Sequence, residues 1–291
     1  MTNILDSALL MRLNKHRIQS KRQKRGFQQG ARRSMKQGQS LDFSDYRQYQ
    51  PGDDLRQIDW NIYARTNKHY IKRFLDEQEL VISLYLDCSK SMNLIDEKWL
   101  LAKRLAATLG YMSLSHDDRV GIFPVCSTDS PFFYKKGRAY ANKAAFYISE
   151  LTNSVSEQTT FSQSITNNIV PKSGVSIIIS DFLEPLDDIT AALKKIQANR
   201  QELYVIQLLT EEETNPNYQG DLKLIDSEMN QQMNVSMLPS IKRNYVNRVN
   251  QHTEDLEQFC FDRGIGFIRC STNETIEEII FESLMPKGWI V

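Results

Sequence analysis

Two short, continuously apolar runs each stop at an aspartate, and this repeated arrangement limits the folds open to the chain more than any other feature. Val81-Ile82-Ser83-Leu84-Tyr85-Leu86 runs into Asp87, and Val175-Ser176-Ile177-Ile178-Ile179 runs into Ser180-Asp181. Runs this short and unbroken predict strands buried on both faces. Helical spacing fills much of the intervening chain: Leu101, Leu105, Leu109 and Met112 fall four, four and three apart, predicting a helix over 98–115. Further strands are expected at 120–126 and 132–135, forming a hairpin, and at 203–209 and 264–270, with helices near 138–151, 162–170, 186–199, 240–263 and 275–284. A segment over 222–235 reads as an exposed hairpin. Short buried strands alternating with helices predict an α/β fold, a doubly wound and mostly parallel sheet covered on both faces.

In such sheets ligands bind beyond the carboxyl ends of the strands, where the strand order reverses. Asp87 and Asp181 both stand at such ends. After the first strand, Asp87-Cys88-Ser89-Lys90-Ser91 places a carboxylate and two hydroxyls at alternating positions on one turn. With a threonine from the loop at 159–160, these side chains could converge on one spot. Two carboxylates about 5 to 6 Å apart repel by roughly 3 kcal/mol at an effective dielectric near 20, so a proton or a cation is needed between them. Oxygen donors without imidazole or thiolate suit a hard ion, Mg²⁺ or Mn²⁺, rather than zinc.

Charge is distributed unevenly. Residues 7–41 hold ten Lys or Arg and no Asp or Glu, which leaves 26 basic against 36 acidic residues elsewhere. The amino-terminal part therefore reads as a basic arm, residues 1–37, opening with a helix over 3–18. A solvated face is one reading of it; a dock for anionic lipid, nucleic acid or an acidic protein is the other. Few aromatics interleave with these charges, which disfavours nucleic acid. The four cysteines are widely spaced and form no CxxC, so they read as packing residues in a reducing compartment. No signal peptide is evident, and no run approaches the ~18 apolar residues of a membrane span, so a cytoplasmic protein is expected, with contact at the inner membrane face left open.

Residues 38–79 differ in composition. Pro51-Gly52-Asp53-Asp54 is a turn, Asp54 can cap a short helical piece reaching Trp60, and Tyr70-Ile71-Lys72-Arg73-Phe74 predicts a strand. This segment is expected to pack on the main domain, 80–291, which carries the hairpin insertion near 220–236.

Asp87-x-Ser89-x-Ser91, a later loop threonine and Ser180-Asp181 resemble the metal-ion-dependent adhesion site of von Willebrand factor type A domains, which have a Rossmann-like sheet. Pro51-Gly52-Asp53-Asp54-x-Arg56-x-Ile58-Asp59-Trp60, Ala64-Arg65 and Lys72-x-Phe74 are similar to a bacterial and archaeal domain-of-unknown-function family, the fifty-eighth so labelled, whose members commonly accompany MoxR-type AAA+ ATPases. The resemblance spans about residues 38–285. It implies a type A domain with an amino-terminal extension and no enzymatic activity. Ser89 and Ser91 would ligate the metal directly, with Asp87 and Asp181 acting mainly through water. Thr159 fits the family spacing best as the third hydroxyl, with Thr160 the runner-up; Gln158 replaces the glycine usual before it.

The function expected is a metal-dependent protein-interaction module that works with a MoxR-type ATPase on client proteins yet to be identified. The chain lacks a GxxxxGK[ST] phosphate loop, as befits an adaptor rather than an ATPase. A Mg²⁺-dependent phosphohydrolase or nuclease is the alternative, built on Asp87 and Asp181 or on Asp76, Glu77 and Glu79. Against it, Ser89 stands where an aspartyl-phosphate enzyme has its second Asp, and His16, His69, His116 and His252 form no HExxH. A third reading is a structural scaffold whose site holds no metal.

Overall fold

The computed structural model of the protein describes residues 4–20, 43–74, 80–152, 160–169, 174–218, 220–225 and 232–291. The chain divides into two compact units, one of residues 29–79 and one formed by residues 1–28 together with 80–291.

Helix α1 (Ser7–Leu13) belongs to the larger unit and is shorter than its apolar spacing suggests. Asp6 caps it, accepting a hydrogen bond from the Ala8 amide at 2.8 Å, and Leu9 and Leu13 are buried. Beyond Leu13 the backbone extends to bond with the far end of the chain. Ile18 and Ile290 form an antiparallel bridge, with the Arg17 amide donating to the Val291 carbonyl at 2.8 Å and the Val291 amide returning a bond of 3.0 Å. Arg12, one of the arm's basic residues, lies 4.3 Å from the centre of the Phe281 ring. Residues 4–20 are thus built into the core of the larger unit, while the basic cluster from Lys21 to Lys36 lies outside the described residues.

In the smaller unit, β1 (Phe43–Gln48) pairs antiparallel with β2 (Tyr70–Phe74), and α2 (Trp60–Thr66) lies between them in sequence. The cap at Asp54 serves only a single 3₁₀ turn, Leu55–Gln57. Asp59 starts α2 by accepting from the Asn61 and Ile62 amides, and its other oxygen accepts from the Tyr46 hydroxyl at 3.2 Å. Asn67, at φ 54°, ends the helix in the left-handed region.

The larger unit is built on a six-stranded sheet. Its elements in chain order are β3 (Val81–Asp87), α3 (Lys90–Asn93), α4 (Asp96–Ser115), β4 (Arg119–Val125), β5 (Phe132–Lys136), α5 (Ala141–Glu150), α6 (Phe161–Asn167), β6 (Gly174–Ser180), α7 (Leu186–Ala198), β7 (Gln201–Leu209), α8 (Glu211–Thr214), β8 (Gly220–Ile225), β9 (Gln232–Met237), α9 (Pro239–Asp262), β10 (Gly266–Ser271) and α10 (Ile276–Glu278). A π-type helical turn, Ile279–Leu284, follows. Strand order is β10-β7-β6-β3-β4-β5, every neighbouring pair being parallel except the antiparallel β4–β5 edge. This is the expected doubly wound, mostly parallel α/β sheet. Strands β8 and β9 form a separate antiparallel hairpin.

Alternation along the strands divides the core into two layers. On one face Ile82, Leu84, Leu86, Ile177 and Ile206 pack under α1, α4, α5 and the carboxyl-terminal turn; on the other Tyr85, Phe123, Ile178 and Val205 pack under α6, α7 and α9. At about 1.5–3 kcal/mol per buried large apolar side chain, these two layers are what hold the strands flat against their helices. The predicted stripe on α4, Leu101, Leu105, Leu109 and Met112, is buried throughout. Cys88, Cys126, Cys260 and Cys270 are buried and stand outside any disulfide.

From β3 the chain builds β4 and β5 to one side, and β6, β7 and β10 to the other. The order therefore reverses between β3 and β6, the two strands that end in Asp87 and Ser180-Asp181.

Candidate functional site at the switch point

Strands β3 and β6 run in parallel register, Leu86 beside Ile179, which brings Asp87 level with Ser180 at the end of the ladder. The Ser180 hydroxyl donates to Asp87 Oδ2 at 2.5 Å. Oδ1 of Asp87 accepts from the Ser89 amide at 2.8 Å, turning the chain into α3. Ser89 and Ser91 then face one another with their Oγ atoms 3.1 Å apart. Asp87, Ser89, Ser180 and Asp181 are all buried.

Burial is the largest influence on Asp87, followed by the neighbouring charge of Asp181; hydrogen bonds from Ser180 and Ser89 oppose both, and its pKa is pushed up from 3.8 to about 7. The site thus holds more negative potential around Asp87 than its own donors relieve.

Asp181 is balanced differently. The Lys98 ammonium donates to Asp181 Oδ2 at 2.8 Å and to Glu213 Oε1 at 2.7 Å, and it lies 3.5 Å from the Ser91 carbonyl. The Lys98 side chain is 0% exposed. Burial works most strongly against its charge, yet Asp181 and Glu213, by proximity and hydrogen bonding together, hold its pKa above 10.5. Glu213 is fixed in turn: its Oε2 accepts from the Thr210 amide at 2.9 Å, and the Thr210 hydroxyl accepts from the Glu213 amide at 3.1 Å, a reciprocal cap on α8.

Lys98 and Glu213 were not among the residues singled out from sequence. The signal for Lys98 was present: it stands three residues before Leu101, in line with the buried stripe of α4. A lysine on an otherwise apolar stripe requires a buried counter-ion. Glu213, three residues after Thr210, carries the spacing of a capping box, but nothing in the sequence ties it to Lys98.

Other groups position the Asp181 loop. Gln207 of β7 donates from Nε2 to the Asp181 carbonyl at 2.9 Å, while its buried Oε1 has no hydrogen-bond partner among the described residues. Phe182 takes a left-handed backbone, φ 52°, and its carbonyl accepts from His252 Nε2 at 2.7 Å. Glu184 accepts from the Phe161 and Ser162 amides and from the Ser162 hydroxyl, so the loop after β6 is tied to the first turn of α6. Thr160 caps that helix, its hydroxyl accepting from the Gln163 amide at 3.4 Å. Thr159 lies outside the described residues, as do Asp76, Glu77 and Glu79.

The structure thus brings Asp87, Ser89, Ser91 and Asp181 to one end of two adjacent strands. Among the described residues no group of three or more His, Cys, Asp or Glu is arranged to hold a metal. The groups these four residues present, two carboxylates and two hydroxyls, are all oxygen donors, the chemistry that Mg²⁺ or Mn²⁺ would take. The unanticipated feature is the ammonium already seated on Asp181. Among the described residues no helix is long and apolar enough to cross a membrane.

Residues 45–255 match a family described as "Protein of unknown function DUF58". Uncharacterized proteins of Mycobacterium bovis and Mycobacterium tuberculosis are 26% identical over 229 residues, covering 76% of this chain and 70% of theirs. Among solved structures, the chain is similar to an aerotolerance-related membrane protein from Bacteroides fragilis, with TM-score 0.42, 15% identity and coverage of 70% of this chain and 98% of that one. It is also similar to the conserved hypothetical protein BatB from Bacteroides thetaiotaomicron, with TM-score 0.39, 16% identity and coverage of 72% and 100%. The VWA domain of Rpn10 gives TM-score 0.37 at 10% identity, covering 71% of this chain and 96% of that domain.

Proposed function

The chain belongs to the DUF58 family, and on that premise we propose that it is a non-enzymatic protein-interaction module whose docking point is the strand-end site. The observation that carries the reading is the convergence of Asp87, Ser89, Ser91 and Asp181 at the β3–β6 switch point, where open α/β sheets bind their ligands. Ser89 and Ser91 would hold Mg²⁺ or Mn²⁺ through their hydroxyls, with Asp87 and Asp181 supplying charge behind them. The ion would give an acidic side chain of a partner something to bind. A MoxR-type AAA+ ATPase is the partner proposed, acting with this chain in the assembly, maturation or remodelling of client proteins.

Asp87 is buried behind the two serines and fixed there by the Ser89 amide and the Ser180 hydroxyl, one on each oxygen, which suits it to supply charge to a bound ion. Within residues 1–37, the basic cluster from Lys21 to Lys36 is proposed as a peripheral contact with anionic membrane; binding to phosphatidylserine vesicles that survives about 0.5 M salt, or deletion of 21–37, would count against it.

The test is capture of a purified MoxR-type ATPase of the same organism with Mg²⁺ and with chelator. Capture that needs Mg²⁺ and is lost in Ser91→Ala and Asp87→Ala is the expected result. Capture untouched by chelator and by both substitutions would leave the scaffold reading, in which the site holds no metal. That second reading is favoured by one observation, the Lys98 ammonium on Asp181.

A further inference from the structure

Lys98 is a costly residue where it stands. An ammonium with no solvent exposure must be held by opposite charge, and here two carboxylates from different elements hold it, Asp181 after β6 and Glu213 on α8. Packing of α4 alone asks only for an apolar side chain at position 98, as Leu101 and Leu105 supply further along the same stripe. Asp181 and Glu213 share a single ammonium while the charge of Asp181 also bears on Asp87, so the cluster carries excess negative charge when all three carboxylates are ionised.

We propose that Lys98 is a tethered cation that stands in for the metal at Asp181, so that a divalent ion gains Asp181 only when the ammonium is left to Glu213. The inference rests on the reading of the site as metal-dependent and specifies how its occupancy is controlled. Three features support it. The ammonium is 3.5 Å from the Ser91 carbonyl, on the very residue whose hydroxyl is to hold the ion, so a divalent cation and Lys98 repel each other at close range. Lys98 has a second seat that does not depend on Asp181, since Glu213 receives it at 2.7 Å. That seat is rigid, because the other oxygen of Glu213 is fixed by the Thr210 amide. The ammonium therefore keeps the metal-free site folded and makes the ion's hold on it weak and reversible.

The experiment is Mn²⁺ titration of the full chain, followed by calorimetry, with urea denaturation at zero and saturating Mn²⁺. Wild type is compared with Lys98→Met, which keeps an unbranched side chain one atom shorter and removes charge, and with Glu213→Gln, whose amide oxygen still accepts from Thr210. Lys98→Met is expected to bind Mn²⁺ at least about tenfold more tightly than wild type. Its denaturation midpoint should also rise with Mn²⁺ by more than that of wild type. Glu213→Gln, which removes the second seat, is expected to bind several-fold more weakly. Equal affinity in wild type and Lys98→Met, with equal midpoint shifts, would overturn the proposal and leave the metal reading standing. No Mn²⁺ binding by any of the three would overturn both. If Lys98→Met folds only with Mn²⁺, that supports the proposal directly; if it does not fold at all, Glu213→Gln decides, and affinity unchanged from wild type would overturn it.

Discussion

Asp87 and Asp181 end adjacent strands, both buried, yet their charges are met in different ways. Among the described residues Asp87 is met by the Ser89 amide and the Ser180 and Ser89 hydroxyls rather than by a cation, and its pKa rises to about 7. Asp181 has a lysine ammonium delivered by the first turn of α4. The same local signal, an apolar strand running into aspartate, thus supports one carboxyl that prefers its proton and one locked in an ion pair. What separates them lies outside the strands: Lys98 reaches one carboxylate and not the other.

Removing that asymmetry should have the largest effect. Lys98→Met leaves Asp181 and Glu213 facing each other without a cation, and in metal-free buffer we expect a loss of about 3–5 kcal/mol by urea denaturation. A loss under 1 kcal/mol would mean that the ammonium does not carry the balance of this half of the site.

The other half is tested by pH. A carboxyl whose pKa is higher folded than unfolded binds its proton more tightly in the native state, so its stabilising contribution is complete below the unfolded value of 3.8 and is lost as pH rises through about 7. Asp87 should therefore contribute a falling slope of up to about 1.4 kcal/mol per pH unit across that window. Asp87→Asn keeps an acceptor for the Ser89 amide and should flatten the slope, raising stability at pH 8 by a few kcal/mol while changing little below pH 4. Parallel stability–pH curves for the two proteins would refute the assignment.

Ser180→Ala removes a charge-assisted hydrogen bond from Asp87 and should cost about 1.5–3 kcal/mol, moving the titration of Asp87 further upward. An unchanged midpoint in the carboxyl signal of Asp87, followed by NMR, would show that Ser180 is not its principal donor. The smallest change is expected from Gln207→Met. It loses one bond to the Asp181 carbonyl but also removes a buried oxygen that has no partner among the described residues, so stability should shift by less than ~1 kcal/mol in either direction. A larger loss would place Gln207 among the residues that hold Asp181.

Much of this was legible in the sequence because it rests on local patterns. The strands at 81–87 and 174–180, the β4–β5 hairpin and the buried face of α4 follow from periodicity, and Asp87, Ser89, Ser91 and Asp181 follow from where strands stop. Long-range pairing was not legible. The Ser180 hydroxyl on Asp87, Glu184 on the start of α6 and Glu213 on Lys98 join residues 93, 23 and 115 positions apart, which no spacing rule reports. Lys98 is the intermediate case. Its place on an apolar stripe could be read, but its partners required the fold. Helix α1 ended sooner than its apolar spacing implied because the chain beyond Leu13 is drawn out to pair with residues 289–291, a demand set by tertiary structure.

That last pairing bears on the order of folding. Leu9 and Leu13 are made long before Trp289 and Val291, to which the backbone just after them bonds. Closing so long a loop is entropically expensive and is repaid only after the intervening sheet has drawn the two segments together. On the ribosome, α1 must wait for residues 289–291 before its following backbone can pair, and its apolar face is a natural hold for chaperones during that interval. Nascent chains stalled before β10 should therefore leave α1 open to protease, and protection at that stage would show that α1 docks without its distant partner.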